Sequence, residues 1–294
     1  MKIYLLIILL FNFLFSQVIT DNTFNNSRSI ALAGATTSHP GGIESVFNNP
    51  ANLKKDGSTS ILVGQTLFYE QSFLNYQYIS LKRNNIALTV QQLGTKTKSS
   101  KDDLSSEKSI TFSHGIVLLK DRNSSLRLGY NLNYLFLKQE ASAGVSGDGS
   151  DGISGKKVDS FGIDLGILAS LRKKISIGAF VKNINSPKIG RGSNAQYLPR
   201  HLNIGFSYFP TNNLVTNFNY DRLLGSKTNQ FRFGIEYKLH KYIILRSGVQ
   251  MKPNRFAFGF LSNINDNICM SYGMITHQIL PVTHNFELGF KFND

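Results

Sequence analysis

The chain has 294 residues, 32 Lys and Arg against 18 Asp and Glu, a formal charge of +14, 22 Phe, 12 Tyr, no Trp and one cysteine. A lone cysteine excludes an internal disulfide framework, and no run of 18 apolar residues occurs, which excludes a helical membrane protein. The basic excess on its own would suit nucleic-acid binding.

Lys2 precedes an apolar run, Ile3 to Phe15, closed by the small Ser16 and the polar Gln17. That is the layout of a secretory signal peptide, and the run is shorter than the roughly 20 residues of a spanning anchor. Residues 1–16 are therefore expected to be cleaved on export, and an exported chain rarely meets nucleic acid. Residues 17–58 do not alternate in polarity; they are rich in small side chains and contain SIALAGATTSHPGGIESVFNNPANL, from Ser29 to Leu53.

Residues 59–294 fall into runs of roughly ten residues with two different faces, the period-2 signal of strands. Leu126, Leu128, Tyr130, Leu132, Tyr134 and Phe136 oppose Arg127, Gly129, Asn131 and Asn133, and Phe231, Phe233, Ile235 and Tyr237 oppose Arg232, Gly234, Glu236 and Lys238. At the end Phe286, Leu288, Phe290 and Phe292 oppose Glu287, Gly289 and Lys291. A β-sandwich also alternates. A barrel is favoured because the apolar faces are long and aromatic, the runs match the 9 to 11 residues of a tilted spanning strand, and charges sit mid-strand on the other face.

Strands are expected near 60–69, 74–83, 85–94, 108–119, 126–138, 161–171, 175–184, 200–210, 214–224, 230–240, 242–250, 255–263, 268–279 and 283–292. The expected fold is an all-β transmembrane antiparallel barrel of about fourteen strands, an even number as single-chain bacterial barrels have. Its inward polar face would carry Arg127, Asn131, Asp164, Asn217, Asp221, Arg232, Glu236 and Glu287, with Asn133, Asn203, Asn219 and Lys238.

The connections sort by parity. Starting from a periplasmic N-terminus, the even ones are tight, such as Arg83-Asn84-Asn85 and His240-Lys241, whereas the odd ones include Gly94 to Glu107, Gln139 to Ser160 and Asn185 to Pro199. Short periplasmic turns alternating with longer outer loops is how such barrels are strung. The tight turns also hold basic clusters, Lys82-Arg83, Lys120 with Arg122, and Arg172-Lys173-Lys174. An anionic lipid leaflet explains these, at about 1 kcal/mol per Lys or Arg near the surface. The loop ASAGVSGDGSDGISG, Ala141 to Gly155, lacks the carboxylate spacing and closing Glu of a calcium loop and reads as a solvated surface loop.

An enzyme is not expected. No nucleophile elbow, zinc helix motif or phosphate loop occurs, and His39, His114, His201, His240, His277 and His284 are scattered. His114 follows Ser113, but neighbours in a strand face opposite ways and cannot pair. No catalytic residue, cofactor or metal ligand is assigned.

The stretch from Ala31 to Ala35, containing Gly34, and the motif Asn49-Pro50-Ala51-Asn52-Leu53 resemble the N-terminal segment of FadL-like outer-membrane barrels, more closely the PorV/PorQ branch found with the type IX secretion system. Strand sequences such as FGIDLG (161–166), IGAFVKNI (177–184) and THNFELGFKF (283–292) are similar too, so the resemblance covers most of the chain beyond the signal peptide. It departs at His39-Pro40-Gly41-Gly42, where family members often carry acidic residues, and in ending on Asn293-Asp294 after the last aromatic. The resemblance implies a fourteen-stranded barrel with the N-terminal segment folded inside as a hatch. The inward faces are rich in glycine, at 129, 162, 166, 178, 205, 234, 259, 273 and 289, which fits a second backbone approaching closely; glycines that merely bend strands are the alternative.

Two functions are implied by the resemblance. One is an interaction component of protein secretion, with secretion-system proteins and exported cargo as partners. The other is a channel for hydrophobic small molecules such as fatty acids. The polar inward residues favour the first, since they suit a hydrogen-bonded hatch better than a greasy tunnel. Either way the chain meets outer-membrane lipid, and Phe290 and Phe292 suit recognition by the barrel-insertion machinery.

Overall fold

The computed structural model describes residues 25–39, 41–96, 103–141, 144, 146–148, 150–152, 154–190, 195–225 and 229–293. The expected signal peptide, residues 1–16, lies outside them.

Sixteen strands occur among the described residues: β1 (Ser58–Leu67), β2 (Leu74–Arg83), β3 (Ile86–Lys96), β4 (Asp103–Lys120), β5 (Ser124–Gln139), β6 (Lys156–Leu171), β7 (Ile175–Lys182), β8 (Lys188–Ile189), β9 (Gln196–Tyr197), β10 (His201–Thr211), β11 (Leu214–Leu223), β12 (Asn229–His240), β13 (Ile243–Met251), β14 (Arg255–Asn263), β15 (Ile268–Ile275) and β16 (Thr283–Asn293). All but the short β8–β9 pair join one closed antiparallel barrel of fourteen strands, sealed where β1 runs against β16. Closure satisfies every backbone group along the wall and leaves no open edge, which a strand fold needs in order to cross a bilayer. No described helix is long and apolar enough to cross.

The alternation sets the two faces. On β12, Phe231, Phe233, Ile235 and Tyr237 are exposed on the outside while Arg232, Gly234 and Glu236 are buried inside. β5 and β16 repeat this, and Ser113 points in while His114 points out.

Strand ends differ from expectation for local reasons. β4, β5 and β6 run to 18, 16 and 16 residues because their ladder continues through polar pairs such as Ser105 with Gln139 and Lys138 with Lys157. There neither face is constrained to be apolar, so the sequence pattern fades before the pairing does. β1 stops at Leu67, where Phe68–Glu70 forms a 3-10 turn with Tyr69 at φ 54°. β15 stops at Ile275, and His277 Nδ1 accepts from the N–H groups of Ile279 and Leu280, turning the chain out of the ladder.

The N-terminal segment lies inside the barrel. Helix α1 (Ser27–Ala31) starts at Asn26, whose Oδ1 accepts from Ser29 N–H at 2.7 Å, and every residue of it is buried. Ala33 and Gly34, at φ 51° and 83°, turn the chain back. Helix α2 (Ser45–Asn48) leads to the 3-10 turn Pro50–Asn52, for which Asn49 is the cap. α1 packs on β13–β16 and Pro50–Asn52 on β4–β6.

Inward glycines make this approach possible. A Cβ on Gly129 would stand 2.1 Å from Ala51 N, and one on Gly273 2.4 Å from Ser27 O. Gly166, Gly178, Gly205, Gly234 and Gly259 also face the hatch, as do Gly115 and Gly248, which the sequence reading passed over. Gly162 and Gly289 correct that reading. The nearest neighbours of a Cβ on the first are Asn183 and Pro187, and on the second Cys269 and Leu62, so no hatch backbone comes close to either, although Gly289 still lines a cavity with Ile43 and Glu44.

Candidate functional site

The candidate site is the lumen and the segment that fills it. One buried carboxylate, Glu236 on β12, is held between Arg28 Nη2 of α1 at 3.0 Å and Arg246 Nε of β13 at 2.7 Å. His39 Nε2 stands 3.4 Å from the same carboxylate. Arg246 Nη1 donates to Ser271 Oγ at 3.2 Å, and Ser271 Oγ lies 2.6 Å from Ser27 Oγ. Ser27 then meets Glu287, through its N–H at 3.0 Å and through its hydroxyl, and the Tyr78 hydroxyl donates to Glu287 as well. One hydrogen-bonded chain thus ties α1 to β2, β12, β13, β15 and β16.

Most of the other expected lumen residues are buried inside the barrel, Asn203 among them, whereas Lys238, close to the β12–β13 turn, is exposed. Asp221 pairs with Arg232 Nη1 at 2.9 Å and with His201. Arg232 in turn packs under Gly34, where a Cβ would come within 2.6 Å of Nη1. Asn217 accepts from Ser207 at 2.6 Å, and Asn219 donates to Gly34 O at 3.2 Å. Asp164 accepts from Asn131 at 3.2 Å and from Asn133 at 2.8 Å, while Asn131 also donates to Val46 O at 3.3 Å.

The Asn49 motif is a clamp. Asn49 Nδ2 donates to Thr37 O at 3.0 Å and Ile167 O at 3.1 Å, and its Oδ1 accepts from Ala51 N–H at 3.1 Å. Pro50, Ala51 and Leu53 are buried beneath β4 and β5. Arg127 is only half-buried, near Lys54, whose amine pKa is lowered by burial and then by that guanidinium. Arg28, His39, His201 and Arg246 belong to the site although no sequence motif points to them, and Lys82 corrects an expectation: read as part of a basic cluster at the lipid leaflet, it is buried on the inward face of β2 against Asp56. Arg246 was findable, since Arg246, Gly248 and Gln250 share the inward face of β13.

One expectation needs correction, because the lumen is not uniformly polar. On the β1–β3 side Leu62, Tyr76, Tyr78, Ala87 and Leu93 form an apolar cluster with Phe68 and with Ile43, Val46, Phe47 and Leu53 of the hatch. The Phe47 and Tyr78 rings meet edge to face at 5.1 Å. Two cavities border this part of the hatch. Val46 and Phe47 line one of about 50 Å³ with Asn131, Asp164 and Lys182, and Ile43 and Glu44 line one of about 220 Å³ with Lys82, Lys291 and the β14–β15 turn.

The hatch joins the wall through Asp56, whose carboxylate oxygens are 2.8 and 2.9 Å from Lys82 Nζ. Burial raises the Asp56 pKa, but hydrogen bonds from Lys82 and Ser58 outweigh it and hold it below its ordinary 3.8. A depressed folded pKa gives stability that is whole above the unfolded value of about 4 and is lost as pH falls through the folded one. The protection factors of the amides at residues 54–57, with the intrinsic pH dependence of exchange divided out, are therefore expected to fall on acidification below pH about 4, and Asp56→Asn should lower protection at neutral pH and flatten that acid profile. An unchanged profile in the variant would show the tie to be inert.

No protein-family model and no curated protein matches the chain. Solved structures do. The CymD monoaromatic hydrocarbon channel aligns with a TM-score of 0.62 at 12% identity, over 92% of this chain and 97% of that one. The Pseudomonas putida toluene transporter TodX aligns at 0.60 and 12%, over 92% and 98%, and a Pseudomonas aeruginosa FadL homologue at 0.54 and 10%, over 92% and 98%. At such identity the likeness is one of fold, the fold of FadL-type outer-membrane channels. The finer likeness to the PorV/PorQ branch rests on the sequence motifs alone.

Proposed function

We propose that this chain is an outer-membrane channel for small hydrophobic molecules, closed at rest by its own N-terminal hatch. The observation that carries this is the apolar cluster on β1–β3, covered by Ile43, Val46 and Phe47 of the hatch. α2 has four residues and no side-chain cap bond at Glu44, so it is too short to persist as a helix on its own. Its residence rests on burying those side chains, at about 1.5–3 kcal/mol each. A hydrophobic solute covering Leu62, Tyr76 and Leu93 in their place recovers much of that burial. Gly41 and Gly42, just ahead of α2, supply backbone freedom for its displacement.

Toluene or a medium-chain fatty acid should enter vesicles carrying the protein several-fold faster than protein-free vesicles. Phe47→Ala, which removes the largest plug side chain, should raise the rate on the order of tenfold, since such a truncation costs about 3–5 kcal/mol of packing, part of it in the closed state alone. Entry no faster than into empty vesicles, for both proteins, would end this reading.

A second reading, an interaction component of protein secretion, is favoured by the dense bonding of α1 to the wall. It expects a barrel that never opens and that co-purifies with secretion components or exported cargo.

A further inference from the structure

The basic clusters read from the sequence divide in the fold. Lys82 is buried against Asp56, but Lys120, Arg122, Arg172, Lys173 and Lys174 are all exposed, on the β4–β5 and β6–β7 turns. These two turns are joined, since Arg172 N–H donates to Asn123 O. Five cations therefore stand on a segment of the rim about 10 Å wide, two strand spacings. Asp121 is the single acid there, which leaves a surplus of four, and among the described residues none of the five is in an ion pair. Other short turns differ. The β10–β11 turn carries no charge, the β14–β15 turn has only Asp266, and Lys241 of the β12–β13 turn lies over the Tyr242 ring at 4.5 Å.

Placing cations here runs against local turn chemistry. Lys174 N–H donates to Leu171 O at 3.0 Å, closing a two-residue turn whose central residues, Arg172 and Lys173, have φ of 50° and 54°. That geometry favours Asn-Gly, because a Cβ is strained in the left-handed region. The β2–β3 turn meets its own positive φ with Asn84. Long cations at both central places break the local rule, and such breaks gather where function asks for the residue.

Next to the cations the wall is apolar. Leu119, Leu171 and Ile177 face outward near the short-turn ends of β4, β6 and β7, each at least half exposed, as lipid-facing residues are. Tyr208 continues the strip on β10, opposite Ile175. Apolar side chains toward the middle of the membrane and cations at its edge follow the order of acyl chain and phosphate in a leaflet.

We propose that the joined β4–β5 and β6–β7 turns hold the headgroup of an anionic phospholipid carrying two phosphates. Guanidinium groups fork onto phosphate oxygens, and ammonium groups add charge from other directions. One phosphodiester leaves most of the surplus uncompensated, whereas two spaced phosphates reach both turns. Free phosphate offers similar charge but covers none of Leu119, Leu171 and Ile177. The inference rests on the membrane-spanning barrel and not on what passes through it.

The test is native mass spectrometry of the delipidated barrel in detergent, titrated with cardiolipin, phosphatidylglycerol or phosphatidylethanolamine. One cardiolipin should stay bound, with a Kd at least tenfold below that of either other lipid. Arg172→Asn with Lys173→Gly installs the favoured turn. That variant should keep the gel shift between boiled and unboiled samples that marks a folded barrel, and unfold at the same or a higher temperature without lipid, yet bind cardiolipin at least tenfold more weakly. Lys120→Gln with Arg122→Gln should weaken binding likewise, and Lys241→Gln should not. Equal binding of the three lipids, unchanged affinity in both turn variants, or an equal loss in Lys241→Gln would overturn the proposal. So would pyrophosphate binding as tightly as cardiolipin, which makes the site one for free phosphate, or cross-linking of Lys173→Cys to an acidic protein in native membranes. Absence of the gel shift in the parent chain would instead remove the barrel reading itself.

Discussion

Glu236→Ala should loosen the hatch more than any other single side-chain truncation in the lumen. The change leaves Arg28 and Arg246 facing each other, both buried, with no carboxylate between them. Removing one partner of a buried ion group costs about 3–5 kcal/mol, because an uncompensated charge stays behind. The wall is held by backbone ladders on both sides of β12, so the loss should fall on the hatch. Amide exchange across residues 26–34 is expected to accelerate at least a hundredfold while the strands stay protected. Replacing all three with methionine should restore most of the protection, since apolar side chains of similar volume often replace a buried ion group at no cost or with a gain of about 1–4 kcal/mol. Slow exchange in Glu236→Ala would show that packing alone holds α1.

Gly129→Val acts on the other end of the hatch. The added Cβ would meet Ala51 N at 2.1 Å and the Pro50 carbonyl carbon at 2.3 Å, backbone atoms that cannot turn aside. Overpacking of this kind costs about 1–3 kcal/mol or more. Gly129 belongs to a ladder with Gly115 and Gly166 on its two sides, so the wall resists displacement and Pro50–Asn52 should leave. Exchange at residues 49–53 and ion conductance should both rise. Gly162→Ala is the matched control, because its nearest neighbour is the Asn183 side chain at 3.2 Å, which can shift by a few tenths of an ångström. Equal effects from the two substitutions would mean that the wall yields, not the hatch.

The two positions differ in a way the sequence does not show. Gly129 and Gly162 both read as inward glycines on alternating strands, and both do point inward. Only the path of residues 25–57 through the lumen makes one a backbone contact and leaves the other beside a loop. The polar residues divide similarly. That Glu236 faces inward follows from its neighbours two places away, but its partner Arg28 is 208 residues distant. The apolar cluster leaves no run in the sequence because it is assembled from isolated side chains, Leu62, Tyr76, Tyr78, Ala87 and Leu93, on strands whose inward faces also carry Ser, Thr, Gly, Gln and Lys.

By itself, then, the sequence determined the wall: the number of long strands, the face each residue takes, and the parity of short turns and long loops. All of these follow from a two-residue period and from local turn chemistry, which are written into consecutive residues. The tertiary structure alone decided which inward side chains meet, where the lumen is apolar, and how far the hatch reaches along the wall. Those depend on a non-repeating segment packed against fourteen strands at once, and contacts over such separations leave no periodic trace in the chain.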